Sequence, residues 1–378
     1  MDSIPSEPDL DRMRRDRHQR LQQQLSASGL DGLLLLGPSA VAYATGADVA
    51  AADSSHTLLQ RAVAVVAAGA AEPQVFTAMP EVDDGARQLA SQLAEVLPPG
   101  ALVAADDVPH PLRRQLSGYD LSPADSVLGA AKICKTPDEL ACIRGAQRIN
   151  ELAMWDALAA LRPGVRQTDL SAVLLQRVFE LGATSNAIDP IWQVMTDTLA
   201  AGPWTTHGGI AFPTSTTDRI LRDGEVIWVD SGISWHGYAS DFGRTWIVGL
   251  EPRPDSRQRE QFSRWQAVIA AVLDRVKPGA TALELCEAAK AANDGVKPWI
   301  DHFYLAHGVG TDSAEMPLIG TDLGEEFDAG LVLQPGMVLV LEPVIWDEGA
   351  AGYRSEDIVA VTDEAWVALS DFPYEPFS

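Results

Sequence analysis

The sequence is short of cysteine, of basic residues and of long apolar runs. Its three cysteines are an odd number and no pair has metal-site spacing, which indicates buried thiols in a reducing compartment rather than a disulfide framework. No run of about 18 apolar residues occurs, so no membrane-spanning helix is expected. The N-terminal stretch is polar and charged and lacks the apolar segment of a secretory signal, so we expect a cytoplasmic protein.

Basic residues number 28 against 53 acidic ones, which leaves a formal net charge of −25. A field of this sign repels nucleic-acid phosphates and anionic lipid, which argues against nucleic acids and membranes as partners. Hydrophobic residues make up 46% of the 378 residues, enough for a substantial core, and this length favours two domains. The acidity is typical of a soluble surface, and a smaller part of it is expected around bound cations.

The first third of the chain predicts a compact α/β domain. Apolar residues recur at helical spacing over residues 10–28, and Gly29 ends that helix. Short apolar runs at residues 30–36, 62–68 and 101–105 predict the strands of a mixed sheet. We therefore assign residues 1–127 to an N-terminal domain.

The second domain is predicted to span residues 128–378. A long helix opens it, with Thr136 as N-cap and Pro137 at the first helical position. Further on, the apolar runs 225–230 and 238–248 are joined by a polar turn and predict a hairpin. Later strands are predicted at 337–342 and 357–361, so this domain is expected to be α+β with mostly antiparallel strands.

Four carboxylates stand at the ends of strands that otherwise belong to the core. Asp230 ends VIWVD, Asp241 lies on the partner strand, Glu342 ends VLVLE, and Glu356 precedes DIVAV, while His307 lies in the glycine-rich AHGVG. Burying a carboxylate is costly unless it meets a cation. Together the four carry a formal charge of about −4, which two divalent ions neutralise. Oxygen ligands with one imidazole suit Mn, Co, Zn or Fe without choosing among them.

Each of these residues alone has a plainer interpretation. A strand-end aspartate is commonly a turn residue, and a single histidine is commonly structural. Only the five together, in one half of the chain, indicate a centre that holds two metal ions with an activated water between them.

The motifs resemble those of the pita-bread metallohydrolases, peptidase family M24. The strings are VDSG, SDFGRT, HGVGTD, LEP and RSEDIVAVT, and the intervals of 11 residues from Asp230 to Asp241 and 14 from Glu342 to Glu356 match the family. The family includes methionine aminopeptidase, aminopeptidase P and prolidase, and the non-peptidases creatinase, ectoine hydrolase and a dimethylsulfoniopropionate lyase. The run GLDGLLLLGPSAVAYATG resembles the creatinase-type N-terminal domain, which favours the prolidase, aminopeptidase P and creatinase branch.

This resemblance implies an α+β fold, with a pita-bread catalytic domain at 128–378 and a smaller creatinase-like α/β domain at 1–127. It implies that Glu342 also moves a proton to and from the attacking water. His207 in PWTTHGG matches a histidine that contacts the substrate or a developing charge. Arg354 matches an arginine that orients the ligand glutamate or binds a substrate carboxylate. A homodimer is implied as well. The metal ligands carried over are Asp230, Asp241, His307, Glu342 and Glu356.

The chain departs from the peptidase pattern after and before the ligand histidine. Where the peptidases read HGxGxxxHExP, this chain has Ala314 in place of the second histidine. Phe303 stands four residues before the ligand histidine, where the family has another histidine, and His302 precedes it. Asp312 and Glu315 are both candidates to replace the missing imidazole. These departures leave metal binding intact but bear on cleavage of an Xaa-Pro bond.

Three functions follow from these observations. The first is a dinuclear-metal peptidase of the Xaa-Pro dipeptidase or aminopeptidase type, which uses a metal-bridged hydroxide on small peptides. The alternative, suggested by Ala314 and by Phe303, is a non-peptidase hydrolase or lyase of a small zwitterionic metabolite on the same fold. A box of tryptophans would hold a cationic small molecule by cation–π contacts. The third is a binding protein with an inactive site, which the complete ligand set disfavours. The tryptophans of the box, which core packing also explains, are Trp192, Trp204, Trp235, Trp246 and Trp346.

Overall fold

The computed structural model describes residues 7–47, 60–195, 215–347 and 349–377, together with the backbone of 204–207 and 210–213. The chain forms two compact units, one of which is Pro8–Asp138, while Glu139–Ser378 makes most of the other. The domain boundary between residues 127 and 128 stays a prediction. Within the described residues, no helix is long and apolar enough to cross a membrane.

The smaller unit is built on a mixed five-stranded sheet. The strand order is β3-β2-β1-β4-β5, in which β1 runs antiparallel to β2 and parallel to β4. The elements are α1 (Leu10–Ser28), β1 (Gly32–Leu35), α2 (Pro38–Thr45), β2 (Arg61–Ala67), β3 (Gln74–Ala78), α3 (Asp83–Val96), β4 (Leu102–Ala105), α4 (His110–Gln115), β5 (Asp120–Pro123) and α5 (Asp125–Lys132).

Both faces of this sheet are covered. Along β1, Leu33 and Leu35 pack into one apolar cluster while Leu34 packs into the other, because successive strand residues face opposite sides. The helix α1 ends as the sequence predicts, since Gly29 adopts a left-handed φ of 68°.

The larger unit combines helices with antiparallel strands. One sheet has the order β10-β9-β11 with β6 added beside β9, and another has the order β13-β12-β14-β17-β18. The pairs β15–β16 and β7–β8 complete it. The elements are α6 (Pro137–Ala160), α7 (Gln167–Glu180), β6 (Ser185–Val194), β7 (Trp204–His207), β8 (Ile210–Pro213), β9 (Val226–Trp235), β10 (Tyr238–Ala239), β11 (Phe242–Ile247), α8 (Ser256–Leu273), α9 (Ala282–Ala292), β12 (Ala306–Gly308), β13 (Glu315–Ile319), α10 (Glu325–Gly330), β14 (Val338–Leu341), β15 (Val344–Trp346), β16 (Gly352–Arg354), β17 (Asp357–Val361) and β18 (Trp366–Ala368).

The strand β9 separates the core from the candidate site. Its residues Ile227 and Val229 lie in a large apolar cluster with residues of α6 and α7. Val226 and Trp228 belong to a second cluster. Because strand residues alternate between faces, Asp230 lies on the same face of β9 as Trp228, away from the large cluster.

Candidate metal centre

The five predicted ligands come from five different segments of the larger unit. Asp230 lies within β9, Asp241 directly precedes β11, His307 lies within β12, Glu342 directly follows β14 and Glu356 directly precedes β17. All five side chains are buried. One oxygen from each of Asp230, Asp241 and Glu356 lies within 4.8 Å of the others. The fold therefore gathers residues separated by more than a hundred positions into one buried site.

The two aspartates are held by a hydrogen-bonded hairpin. Asn150 of α6 donates to the Ser231 carbonyl at 2.9 Å and to the Ser240 hydroxyl at 3.1 Å, next to Asp230 and Asp241 respectively. The Ser231 hydroxyl in turn donates to the Asn150 side-chain oxygen at 3.2 Å. Because Asn150 is fully buried, these bonds fix the backbone on which both carboxylates stand.

Glu356 reaches the aspartates through a gap at Gly243. Gly243 stands opposite Asp230 in the β9–β11 ladder, and its carbonyl accepts from the Glu356 backbone N–H at 2.9 Å. A Cβ at position 243 would lie 2.5 Å from the Glu356 Cδ. Glycine is therefore required here so that the Glu356 carboxylate can enter the cluster.

His307 presents one ring nitrogen to the carboxylates. Its Nδ1 lies 2.8 Å from the Gly308 carbonyl and donates to it, so Nε2 is left for a ligand. That Nε2 lies 3.2 Å from Asp241 Oδ2 and 3.4 Å from Glu342 Oε1. Burial opposes the imidazolium, but the hydrogen bond with Asp241 and the charge of Glu342 outweigh it and raise the pKa of His307 to about 9.

Arg354, at the end of β16, lies inside the cluster. Its guanidinium forms ion pairs with Asp230 Oδ2 at 3.5 Å and with Glu356 Oε1 at 2.5 Å, and it donates to Glu342 Oε2. The side chain is only 3% exposed. The charge count that predicted two divalent ions omitted this cation, so charge alone no longer selects two ions over one.

The carboxylates carry strongly perturbed pKa values. Burial, followed by the charge of Asp241, raises the pKa of Asp230 to about 7. Burial also raises the pKa of Glu342, and it raises that of Glu356 well above its usual range, although Arg354 acts against both shifts. Buried carboxyl groups with raised pKa values are destabilised as anions unless further positive charge is added.

The donor set fits a metal ion. Asp230 Oδ1 and Glu356 Oε2 are buried and have no hydrogen-bond partner among the described residues. Orphaned buried carboxylate oxygens are rare because each carries a desolvation cost. Hard oxygen donors with one imidazole suit divalent ions such as Mn²⁺ and Zn²⁺.

Three positions singled out in the sequence lie outside this cluster or outside the described side chains. His207 ends β7, opposite Ile210 of β8, but only its backbone is described, so its role stays a prediction. His302 has a left-handed φ of 61°, and its Nδ1 lies 2.6 Å from Oδ2 of the exposed Asp322, not against a ligand carboxylate. Ala314 is exposed, just before β13.

Three of the five tryptophans proposed for a cation box lie in the core instead. Trp192 and Trp246 stack on each other, with ring centroids 6.2 Å apart, and Trp235 lies in the same core cluster. Trp346 packs against a different cluster. The side chain of Trp204 lies outside the described residues. Core packing is therefore the correct interpretation for the first three rings.

Three residues that pattern alone did not single out support the site. Asn150 and Trp228 carry no motif, and their roles depend on partners far along the chain. Tyr304 stacks on Phe303 with ring centroids 4.0 Å apart, and its centroid lies 4.9 Å from that of His307. Burial and then the charges of the nearby carboxylates raise the pKa of Tyr304, so its phenol stays protonated. An aromatic pair in place of the family's histidine was the available signal.

Relatives with similar sequences are named as dipeptidases. Probable dipeptidase PepE of Mycobacterium tuberculosis is 30% identical over 257 residues, which cover 67% of this chain and 62% of that relative. The Xaa-Pro dipeptidase of Pyrococcus furiosus is 30% identical over 241 residues, which cover 63% of each chain. The match thus spans less than two thirds of the length of these relatives.

Solved structures share the fold over almost the whole chain. The prolidase from Pyrococcus horikoshii OT3 superposes with a TM-score of 0.73 at 21% identity, covering 95% of this chain and 99% of the other. The dipeptidase PepE from Mycobacterium ulcerans gives 0.74 at 24% identity, covering 98% of both chains. These likenesses confirm the predicted α+β pita-bread fold with its smaller α/β N-terminal part.

A match to a protein-family model identifies the family of this chain. The model described as metallopeptidase family M24 matches residues 141–363, which include all five predicted ligands and Arg354. Because this match covers more than half of the chain, the protein belongs to metallopeptidase family M24, as the resemblance of its motifs predicted.

Proposed function

We propose that the protein is a metal-dependent dipeptidase that hydrolyses short peptides of the Xaa-Pro type. One observation carries the proposal: four carboxylates and one imidazole meet in a buried cluster in which carboxylate oxygens lack partners. Such an arrangement is unfavourable in a metal-free protein and favourable around divalent ions.

The proposed metal ligands are Asp230, Asp241, His307, Glu342 and Glu356. Together they offer more donor atoms than a single octahedral ion accepts, which supports two ions even though Arg354 reduces the net negative charge. The ligand types leave Mn, Co, Zn and Fe as candidates. When bound, the ions would polarise the scissile carbonyl and lower the pKa of a water molecule.

The side chains of this chain would then handle the proton. Glu342 would accept a proton from the water that adds to the carbonyl carbon, and would return it to the amine nitrogen as the C–N bond breaks. Arg354 would hold both glutamates, since it contacts one oxygen of each. His207 is proposed to contact the substrate, a role supported by its sequence motif only.

The substrate class is supported by the relatives named Xaa-Pro dipeptidase. The alternative, a hydrolase or lyase of a small zwitterionic metabolite, is not favoured, because the similar relatives are named as dipeptidases and three of the five tryptophans lie in the core. A homodimer is proposed from the resemblance alone, and light scattering at micromolar concentration tests it.

The test is hydrolysis of Xaa-Pro dipeptides and Xaa-Pro-Xaa tripeptides. The protein is stripped with chelator and reloaded with Mn²⁺, Co²⁺ or Zn²⁺, with Asp241→Asn as an isosteric control. We expect metal-dependent turnover of the dipeptides that the control loses. Absence of turnover in a protein that binds two ions would overturn the substrate assignment and favour the metabolite hydrolase.

A further inference from the structure

A tryptophan lies against the arginine at the centre of the cluster. The Arg354 Cζ lies 4.3 Å from the centroid of the Trp228 ring, within cation–π distance. Trp228 is fully buried. Because Trp228 and Asp230 are two residues apart on β9, they lie on one face of the strand, so the ring lies beside the carboxylate that the arginine contacts.

The residue opposite Trp228 holds the backbone of the same arginine. Thr245 of β11 is the register partner of Trp228. Its hydroxyl donates to the Arg354 carbonyl at 2.6 Å and accepts from the Arg354 N–H at 3.0 Å. One cross-strand pair therefore fixes Arg354 twice, at its backbone through Thr245 and at its guanidinium through Trp228.

This arrangement decides which carboxylate oxygens remain available. A guanidinium donates only in its own plane, and the Trp228 ring, with its centroid 4.3 Å from Arg354 Cζ, limits the orientations that this plane can adopt. The guanidinium donates a hydrogen bond to Glu342 Oε2 and forms an ion pair with Glu356 Oε1 at 2.5 Å. The other oxygen of Glu342 faces the ring nitrogen of His307 at 3.4 Å, and the other oxygen of Glu356 has no partner among the described residues.

We infer that Trp228 is a positioning residue of the metal centre: its ring sets the plane of Arg354, which in turn aims one oxygen of Glu342 and one of Glu356 at the ions. The inference rests on the ligand set of the proposed function and not on the identity of the substrate. Without the indole, the long arginine side chain would sample other rotamers among its carboxylates, and the two glutamates would lose their common orientation.

The same sheet supplies a matched control. Trp246 is also fully buried and lies on β11, directly next to Thr245, but it stacks on Trp192 in the core. Replacing Trp246 removes a buried ring of equal size without touching Arg354. A role of Trp228 in packing alone would make the two substitutions equivalent.

The experiment measures Mn²⁺ affinity, by competition with a chelating dye, in wild type, Trp228→Leu, Trp228→Phe and Trp246→Leu. Circular dichroism confirms the folded state of each variant. We expect binding about tenfold weaker in Trp228→Leu, a smaller loss in Trp228→Phe because phenylalanine still offers a ring face, and wild-type affinity in Trp246→Leu.

Equal Mn²⁺ affinity in the Trp228 variants and in Trp246→Leu would overturn the inference. If Trp228→Leu does not fold, the comparison of Trp228→Phe with Trp246→Leu decides in the same way. Wild type that binds Mn²⁺ but cleaves no peptide would overturn the proposed substrate and leave this inference standing, because the readout is binding and not turnover.

Discussion

Arg244 and Arg354 are both buried in the larger unit, but their partners differ in kind. Arg244 donates mainly to backbone carbonyls, those of Gly243 at 2.9 Å and Phe372 at 2.9 Å, and pairs with one carboxylate, Asp357, at 3.1 Å. Arg354 contacts three carboxylates. The first cation is matched by a single anion, whereas the second is outnumbered.

The difference in partners indicates that Arg244 is a structural buried charge, whereas Arg354 belongs to a functional site. Around Arg244 the charges balance, and the Tyr374 ring covers the guanidinium with its centroid 4.7 Å from Cζ. Around Arg354 an excess of negative charge remains, together with oxygens that lack partners. Burying such an excess has no structural benefit, so its presence indicates that further cations belong there.

The largest effect is expected from Arg244→Met. Its removal leaves the Asp357 carboxylate without its cation and takes one donor from the carbonyls of Gly243, Glu356 and Phe372, and breaking a buried pair costs about 3–5 kcal/mol. Guanidinium denaturation should show a similar loss of unfolding free energy with and without Mn²⁺. A loss that disappears on metal loading would place Arg244 in the metal centre, and the distinction between Arg244 and Arg354 would then be wrong.

Arg354→Met should instead act on metal binding. Neither glutamate is then oriented, and the pKa of both carboxyl groups rises further, so protons compete with the ion. We expect Mn²⁺ affinity to fall about tenfold to a hundredfold. Chelator competition measures it. Unchanged affinity would mean that Arg354, like Arg244, is only structural.

The stability of the metal-free protein should depend on pH because of the carboxylates and the histidine around Arg354. Folding raises the pKa of Asp230 from 3.8 to about 7 and that of His307 from 6.5 to about 9. For each residue, the bound proton stabilises the folded state fully at pH values below the unfolded-state pKa. This stabilisation is lost as the pH rises through the folded-state pKa. Ions displace the same protons, so Mn²⁺ should raise the melting temperature more at pH 8 than at pH 6. Calorimetry in two buffers of different ionisation enthalpy should also detect proton release on binding. An equal Mn²⁺ stabilisation at both pH values would contradict the raised pKa values.

The smallest effect is expected from a pair of tyrosines. The phenol of Tyr304 lies near the carboxylates of the Arg354 cluster, so Tyr304→Phe should lower kcat about tenfold while Mn²⁺ affinity stays the same. Tyr374 donates to Asp357 beside Arg244, and Tyr374→Phe should reduce stability without changing kcat. The opposite pattern would remove Tyr304 from the reaction.

Much of the fold could be predicted because its elements follow simple periodicity. The helix 10–28 and the hairpin around Asp230 and Asp241 were predicted from apolar spacing and turn residues, and both form. The strand β6 was missed, since Pro190 and two register shifts interrupt its alternation. Its pairing with β9 depends on a partner far along the chain, which local pattern does not report.

The residues of the candidate site also differ in whether the sequence alone could identify them. The five predicted ligands stand in short motifs and lie together in the structure, whereas Asn150, Trp228 and Tyr304 act through neighbours that only folding provides. In VIWVD, the pattern around Trp228 predicts an ordinary core residue, because the neighbouring sequence does not indicate that Arg354 lies against its ring. The charge count of about −4 considered the four carboxylates only, and the structure adds the guanidinium of Arg354 among them.

The buried amide of Asn150 has a consequence for how the protein acquires its ions. Its hydrogen bonds hold the aspartate hairpin with no contribution from a cation. In small zinc domains, by contrast, binding and folding are a single event. Here protein hydrogen bonds join the segments that carry Asp230 and Asp241, so we expect loading and loss of metal to occur without unfolding of this hairpin. Selection by the polypeptide would then be weak, and the supply of each ion would decide which one the centre carries.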